Sequence, residues 1–191
     1  MPALIAVTVG LGLGWLCGGR ITELAHFRMW GEHAIIPCFV LQALTRGRIG
    51  GVSGVPNLAI TLWTISSLLL AICLMANVRI PGCFVGAIGL LVNQLVVLAN
   101  GGMPVGPSSS TGLIVLQGEQ TVFGFYHQTV SSTLFNFAGD VVPFGLGRAT
   151  LMMSIGDVLL MIGVCIVIAA AMLQDDSFGR TVRNPDASPV A

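Results

Sequence analysis

The sequence predicts an all-α integral membrane protein with about five transmembrane helices and a long, partly apolar link between the fourth and fifth. Composition is the first reason: 54% of the 191 residues are hydrophobic and only 8% are charged, whereas soluble domains carry about 25% charged residues. The second reason is that apolar segments of near-membrane length recur along the chain. The third is that polar or turn-forming stretches separate these segments.

The predicted spans form one membrane bundle within residues 1–174. A helix needs about 20 residues to cross the hydrocarbon core, and the third, fourth and fifth apolar segments meet this length. The first segment is slightly short. The second is shorter and contains Pro37, which can kink a helix, so whether it crosses fully stays open. The spans are residues 2–19, 30–45, 56–78, 81–100 and 155–173.

The segments outside the spans differ in character. Residues 20–33 mix apolar and charged positions and predict a short helix along the membrane surface, with Trp30 at the interface. Residues 101–153 contain many Phe, Val and Leu residues, so we expect this link to fold back on the bundle on the extracytoplasmic side. Residues 175–191 are polar and predict a flexible tail.

The arginines predict the orientation. If all five segments cross from an outside N-terminus, five of the eight arginines are cytoplasmic and three are outside, in the direction of the positive-inside rule. We therefore expect a multi-pass protein of the inner (cytoplasmic) membrane with a cytoplasmic C-terminus. If the second segment does not cross, four spans remain and the later segments invert.

Glycines spaced four residues apart mark predicted helix-packing faces. Small residues let two helix backbones approach closely in lipid. In the first span this face can form a seam within the chain or a homodimer contact, and the seam is favoured because several other helices are available as partners. The residues are Gly10, Gly14 and Gly18 in the first span, and Gly82 and Gly86 in the fourth.

Asp157 stands at the start of the fifth span, before an uncharged run that reaches Leu173. Together with Ser154 it forms an S-x-x-D capping pattern, in which the serine hydroxyl accepts from the Asp157 amide. The alternative is a functional acid, because polar groups within membranes often mark transport pathways. If the fourth and fifth spans are antiparallel, Asp157 faces the fourth span near Asn93 or Asn100.

Four short stretches resemble a group of small bacterial membrane proteins catalogued only as a domain of unknown function. They are GGRITELAHFRMWG, VNQLVVLANGGMPV, GDVVPF and SIGDVLLMIG. The resemblance implies a helical membrane protein of about five spans. The family it points to has no established activity, so no catalytic residue is transferred to this chain. Residues 107–137, rich in Ser and aromatic residues, depart from the family pattern. That pattern includes Asn100, Gly101, Gly102, Met103, Pro104, Asp140 and Asp157.

The function these features favour is an integral membrane protein of unassigned activity, acting as a structural or accessory subunit of a larger membrane complex. Glycine seams, few charges and the lack of a recognised reactive motif favour this role. The lipid bilayer and other membrane subunits are the expected partners. Zero net charge gives no reason to expect nucleic acid, and no cofactor can be named.

Two alternatives stay open. The first is a small transporter or channel component, which would use polar residues within the membrane. The second is a membrane enzyme acting through residues of the link, which could also hold a cation. No spacing matches a recognised metal-ligand or catalytic pattern, so no metal ligand or catalytic residue is assigned. The intramembrane polar candidates are Asp157, Asn93, Asn100 and Ser154. A transport pathway would use the first three of these together with the stripe Thr61, Thr64 and Ser67 in the third span. The link candidates are Asp140, His127 and Glu119.

Overall fold

Five α-helices carry the apolar segments of the chain. The computed structural model describes residues 2–46, 56–105, 121–123, 126–128, 133–146 and 149–174, and in these ranges the chain is mostly helical, as predicted. The predicted tail, residues 175–191, lies outside the described residues. The helices are α1 (Pro2–Leu16), α2 (Glu32–Arg46), α3 (Pro56–Ala76), α4 (Cys83–Asn100) and α5 (Ile155–Met172).

The helices pack side by side in the order α2–α3–α4–α5–α1. The first helix runs parallel to the fifth, because Gly10 lies against Cys165 and Gly14 lies against Met172. All other neighbours run antiparallel. The contacts that establish this are Gln42–Ser67 and Trp30–Asn77 for α2 and α3, Thr64–Gln94 and Leu74–Gly86 for α3 and α4, and Gly89–Gly156 and Gly82–Gly163 for α4 and α5.

These directions give the bundle two distinct ends. The Asn100 end holds the C-termini of α2 and α4 together with the N-termini of α1, α3 and α5. The Asn77 end holds the opposite termini, including the connections from α1 to α2 and from α3 to α4. An up-and-down arrangement of this kind is typical of antiparallel helix bundles.

Two of the described helices, Cys83–Asn100 and Ile155–Met172, are long and apolar enough to cross a membrane. The apolar stretches Leu4–Leu16 and Ile60–Ala76 are shorter. Helix α2 has 15 residues and contains Pro37, so at 1.5 Å per residue it is only about 22 Å long. Length and composition therefore support two spans within the five predicted helices.

The link contains short β-strands, which the all-α prediction did not include. Strand β1 pairs with β3 in parallel, β2 pairs with β3 antiparallel, and β4 and β5 form a hairpin. The Val, Thr and Phe residues of these segments favour extended backbone. Strand β1 contacts α4. The strands are β1 (Met103–Val105), β2 (Thr121–Phe123), β3 (Tyr126–Gln128), β4 (Val142–Leu146) and β5 (Ala149–Met153).

The connection from α1 to α2 contains one short 3₁₀ helix, Ile21–Ala25, within the stretch where a short surface helix was predicted. Trp30 is exposed, but its backbone is held by Asn77, just beyond α3. The Asn77 Oδ1 atom accepts from the Trp30 N–H at 2.9 Å, and Asn77 Nδ2 donates to the Trp30 carbonyl at 2.9 Å. The same Nδ2 donates to the Cys73 carbonyl at 2.7 Å. This two-way bond fixes the connection to the end of α3.

Candidate functional site

Three polar side chains meet where α4 packs against the start of α5; we call Asn93, Ser154 and Asp157 the polar node. Asn93 Nδ2 donates to Asp157 Oδ1 at 2.8 Å, and Ser154 Oγ donates to Asn93 Oδ1 at 2.7 Å. The Asp157 backbone N–H donates to Ser154 Oγ at 2.9 Å, which closes the ring. The contact predicted between Asp157 and Asn93 is therefore present, and the Asn93 and Ser154 side chains are buried.

The local sequence explains the geometry of the node. Ser154 has extended backbone (φ −81°, ψ 161°) and takes the N-cap position of α5, where its hydroxyl satisfies an amide that the helix itself leaves unpaired. The Asp157 carboxylate lies in the first helical turn, where the helix dipole favours negative charge. Asn93 accepts from the capping serine and donates to the carboxylate. Capping of α5 and its contact with α4 are thus one network.

A line of glycines brings the two helices close enough for this network; we call Gly82, Gly86, Gly89, Gly156 and Gly163 the glycine seam. A Cβ atom added to Gly89 would lie 2.5 Å from the Gly156 carbonyl oxygen, and one added to Gly163 would lie 2.6 Å from the Gly86 nitrogen. Real Cβ atoms essentially never make such short contacts, so the backbones of α4 and α5 touch directly. At this separation the short Asn93 side chain reaches the cap of α5.

The predicted glycine face of α1 divides into two parts. Gly10 and Gly14 pack against α5 of the same chain, as expected for a seam within the chain. Gly18 lies beyond the last residue of α1 with a positive φ of 88° and nothing within 4 Å of an added Cβ. Its assignment to the packing face is therefore wrong; it forms the turn that ends the helix. Gly19 packs against Met172 instead.

Polar pairs also join the other antiparallel helices. Gln94 Nε2 donates to Thr64 Oγ1 at 3.0 Å between α4 and α3, and Gln42 Nε2 donates to Ser67 Oγ at 3.0 Å between α3 and α2. Neither Gln42 nor Asn77 was predicted from the sequence to take part in helix contacts. The signal that would have found them is an amide inside or directly after an apolar helix, since such a group needs a partner.

Asn100 does not join the polar node. It ends α4, and its Oδ1 accepts from the Leu134 N–H at 2.7 Å while its Nδ2 donates to the Leu134 carbonyl at 2.9 Å. The Nδ2 also donates to the Val96 carbonyl, four residues earlier, at 2.8 Å. Asn100 thus repeats, at the opposite end of the bundle, the arrangement of Asn77. We call these two arrangements the asparagine clamps.

The three link candidates are only partly described. The Asp140 side chain is buried, and its backbone N–H donates to the Pro104 carbonyl at 2.9 Å. The backbone of His127 pairs with Pro104 through the β1–β3 register, whereas Glu119 lies outside the described residues. Within the described ranges, no group of three or more His, Cys, Asp or Glu side chains could hold a metal ion. A cation or enzyme role for these residues stays a prediction.

An apolar cavity of about 130 Å³ lies between α2 and the helices beside it. Ile35 and Phe39 of α2 and Leu160 of α5 line it, as do Gly86 and Gly163 of the glycine seam. None of the described residues that line this cavity belongs to the polar node. The node is therefore a contact between helices and does not line this cavity.

Comparison with known proteins gives a match to a family model. No curated protein sequence and no solved structure matches the chain. A family model described as a family of unknown function, DUF5317, matches residues 26–169. The matched range covers well over half of the chain and contains the polar node and both asparagine clamps, which confirms the resemblance to a family of unknown function. The chain belongs to the DUF5317 family.

Proposed function

We propose that this protein is a multi-pass membrane protein whose helical bundle serves as a structural or accessory subunit of a larger membrane complex. The observation that carries the proposal is that the helices expose many large apolar side chains, while several polar side chains are buried between them. A lipid-facing exterior is apolar, and polar groups are turned inward to partners. The outward apolar residues of α3 and α4 include Ile65, Leu68, Leu69, Ile72, Leu91, Leu95 and Leu98. The buried polar residues of the bundle include Gln42, Ser67, Asn93, Gln94 and Ser154.

The directions of the helices support five crossings rather than four. Helices α4 and α5 have 18 residues each, about 27 Å at 1.5 Å per residue, close to the thickness of the hydrocarbon core. Helix α2 is shorter, but it runs antiparallel along α3 and reaches from the Trp30–Asn77 contact to the Gln42–Ser67 contact. This orientation supports a crossing helix over one lying along the surface.

The arginines support an orientation. Of the arginines in the described ranges, Arg20, Arg28 and Arg79 lie at the Asn77 end of the bundle, whereas Arg46 lies at the Asn100 end. Positively charged residues concentrate on the cytoplasmic side of membrane proteins. We therefore place the Asn77 end in the cytoplasm and the Asn100 end outside.

A structural role is favoured because several interior polar side chains hydrogen-bond across helix interfaces. The polar node joins α4 to α5, and the Gln94–Thr64 and Gln42–Ser67 pairs join the remaining antiparallel neighbours. Groups engaged in this way stabilise packing. The apolar exterior leaves broad surfaces for lateral contact with neighbouring subunits as well as lipid.

Three measurements test the proposal. Reporter fusions at position 80 and position 105 should give opposite results: a cytoplasm-dependent fluorescent protein should be bright at 80, and alkaline phosphatase should be active at 105. Release of the full chain from membranes by alkaline carbonate would contradict the membrane assignment. Extraction in lipid discs should yield the chain together with a second subunit in fixed ratio, and an isolated monomer would refute the subunit role alone.

A further inference from the structure

A short part of the link presents three large apolar side chains at the Asn100 end of the bundle. Leu134, Phe135 and Phe137 are 55%, 42% and 69% exposed; we call them the apolar tip. The two phenyl rings pack edge to face with centroids 6.5 Å apart. The next residue, Ala138, is buried in a cluster with Trp63 of α3. The apolar tip is therefore followed directly by a residue, Ala138, that is packed into the bundle.

The backbone of the tip is held in place. The Asn100 clamp bonds to both the N–H and the carbonyl of Leu134. The Thr133 hydroxyl hydrogen-bonds to the side chain of Asn136. Asn136 is the first residue of a short 3₁₀ helix, Asn136–Ala138. Phe135 has φ 55°, and among the described non-glycine residues it alone has a positive φ. A conformation this unfavourable for a residue with a Cβ persists only where its surroundings impose it.

The position of the tip matches a lipid boundary. Asn100, which clamps Leu134, is the last residue of a helix long and apolar enough to cross a membrane. Leu98, two residues earlier, is exposed on the same helix. Residues 133–139 (TLFNFAG) carry no charged side chain, so entry of the tip into lipid does not require burial of a charge. Aromatic and leucine side chains at this depth are favoured in the interfacial region.

We propose that the apolar tip inserts into the interfacial region of the lipid leaflet at the Asn100 end and anchors the link to the membrane. The proposal rests on the membrane assignment made above and adds a lipid contact outside the helices. Its ligand is the upper acyl and glycerol region of a phospholipid. The clamp and the strained Phe135 keep the two rings outward, so they are available to lipid without rearrangement of the bundle.

Photo-crosslinking of the full chain tests this contact. A benzophenone amino acid replaces Phe137, and the protein is reconstituted in vesicles of phosphatidylethanolamine and phosphatidylglycerol. After irradiation, a mass increase of one phospholipid is expected. A control with the same amino acid at Leu98 reports on the membrane assignment. Lipid adducts at 98 without lipid adducts at 137 would overturn the tip proposal alone, and their absence at both positions would contradict the membrane assignment as well.

A second variant separates lipid contact from protein contact. With the benzophenone at position 135, Phe137→Asp should lower the lipid adduct about fivefold or more, because a charge next to the probe opposes insertion. Phe137→Leu is the matched control and should retain the adduct. An adduct with twice the mass of the chain would identify a second copy as the occupant and overturn the proposal. An unchanged lipid adduct in Phe137→Asp would overturn it too.

Discussion

Replacement of Gly163 by alanine tests the glycine seam directly. A Cβ at this position would lie 2.6 Å from the Gly86 nitrogen and 2.8 Å from the Gly82 carbonyl oxygen. Ordinary contacts begin near 3.4 Å. The two backbones must therefore separate by about 0.8 Å, which is the difference between 3.4 Å and the 2.6 Å distance to the Gly86 nitrogen. Both close atoms belong to the main chain of α4 or its cap, so no flexible side-chain end can move away.

Two opposing contributions set the size of the effect. Overpacking costs about 1–3 kcal/mol, and a contact with main-chain atoms belongs at the upper end. Alanine gains about 1 kcal/mol of helix propensity over glycine. We therefore expect Gly163→Ala to lower the free energy of unfolding by about 2 kcal/mol, about 30-fold in the folding equilibrium.

Gly86→Ala is the matched control within the same seam. Its Cβ would lie 3.3 Å from Leu74 Cδ1, the movable end of a side chain, so helix propensity should dominate and stability should stay unchanged or rise by up to about 1 kcal/mol. Gly12→Ala, whose Cβ would meet nothing within 4 Å, calibrates that gain. Reversible unfolding in mixed micelles, followed by tryptophan fluorescence, gives all three values. Equal stability of Gly163→Ala and Gly86→Ala would refute the direct backbone contact.

Two further predictions concern single side chains. Asp157→Asn keeps an oxygen that can accept from Asn93, so its free energy of unfolding should lie within about 0.5 kcal/mol of the wild-type value. In the same assay, Asp157→Leu should lower the free energy of unfolding by about 1–2 kcal/mol. Equal losses in the two variants would count against the polar node. Asn77→Leu removes the clamp on Trp30, so hydrogen exchange of the Trp30 backbone amide should become at least about tenfold faster. Asn100→Leu should leave the exchange rate of the Trp30 amide unchanged. An exchange rate equal to that of the wild type in both variants would contradict the Asn77 clamp.

The helices were predictable because apolar runs of this length have few other structures available to them. The contact between Asp157 and Asn93 was predictable for a related reason. Antiparallel neighbours bring the start of one helix beside the later turns of the other, and helical rise fixes the depth of each residue. The capping role of Ser154 followed from its spacing to Asp157.

Other features depended on the tertiary structure. The Asn77 clamp bonds to the backbone of Trp30. Because every residue has the same backbone carbonyl, and nearly every residue the same N–H, the residue type at position 30 does not indicate this contact. Gly18 shared the spacing of Gly10 and Gly14, but the helix ended before it, and helix ends are set by local packing. The pairing of β1 with β3 joins segments that are not neighbours in sequence, and local composition does not specify such a partner.

The glycine seam has a consequence for how the molecule can move. Main-chain surfaces in direct contact contain no rotamers to exchange, so α4 and α5 should travel as one rigid body. Deformation is left to the boundary where Leu74 and the other side chains of α3 meet that body, and to α2 beyond it. The apolar cavity lies along this boundary, so any rocking of α2 and α3 against the rigid pair would widen or close it.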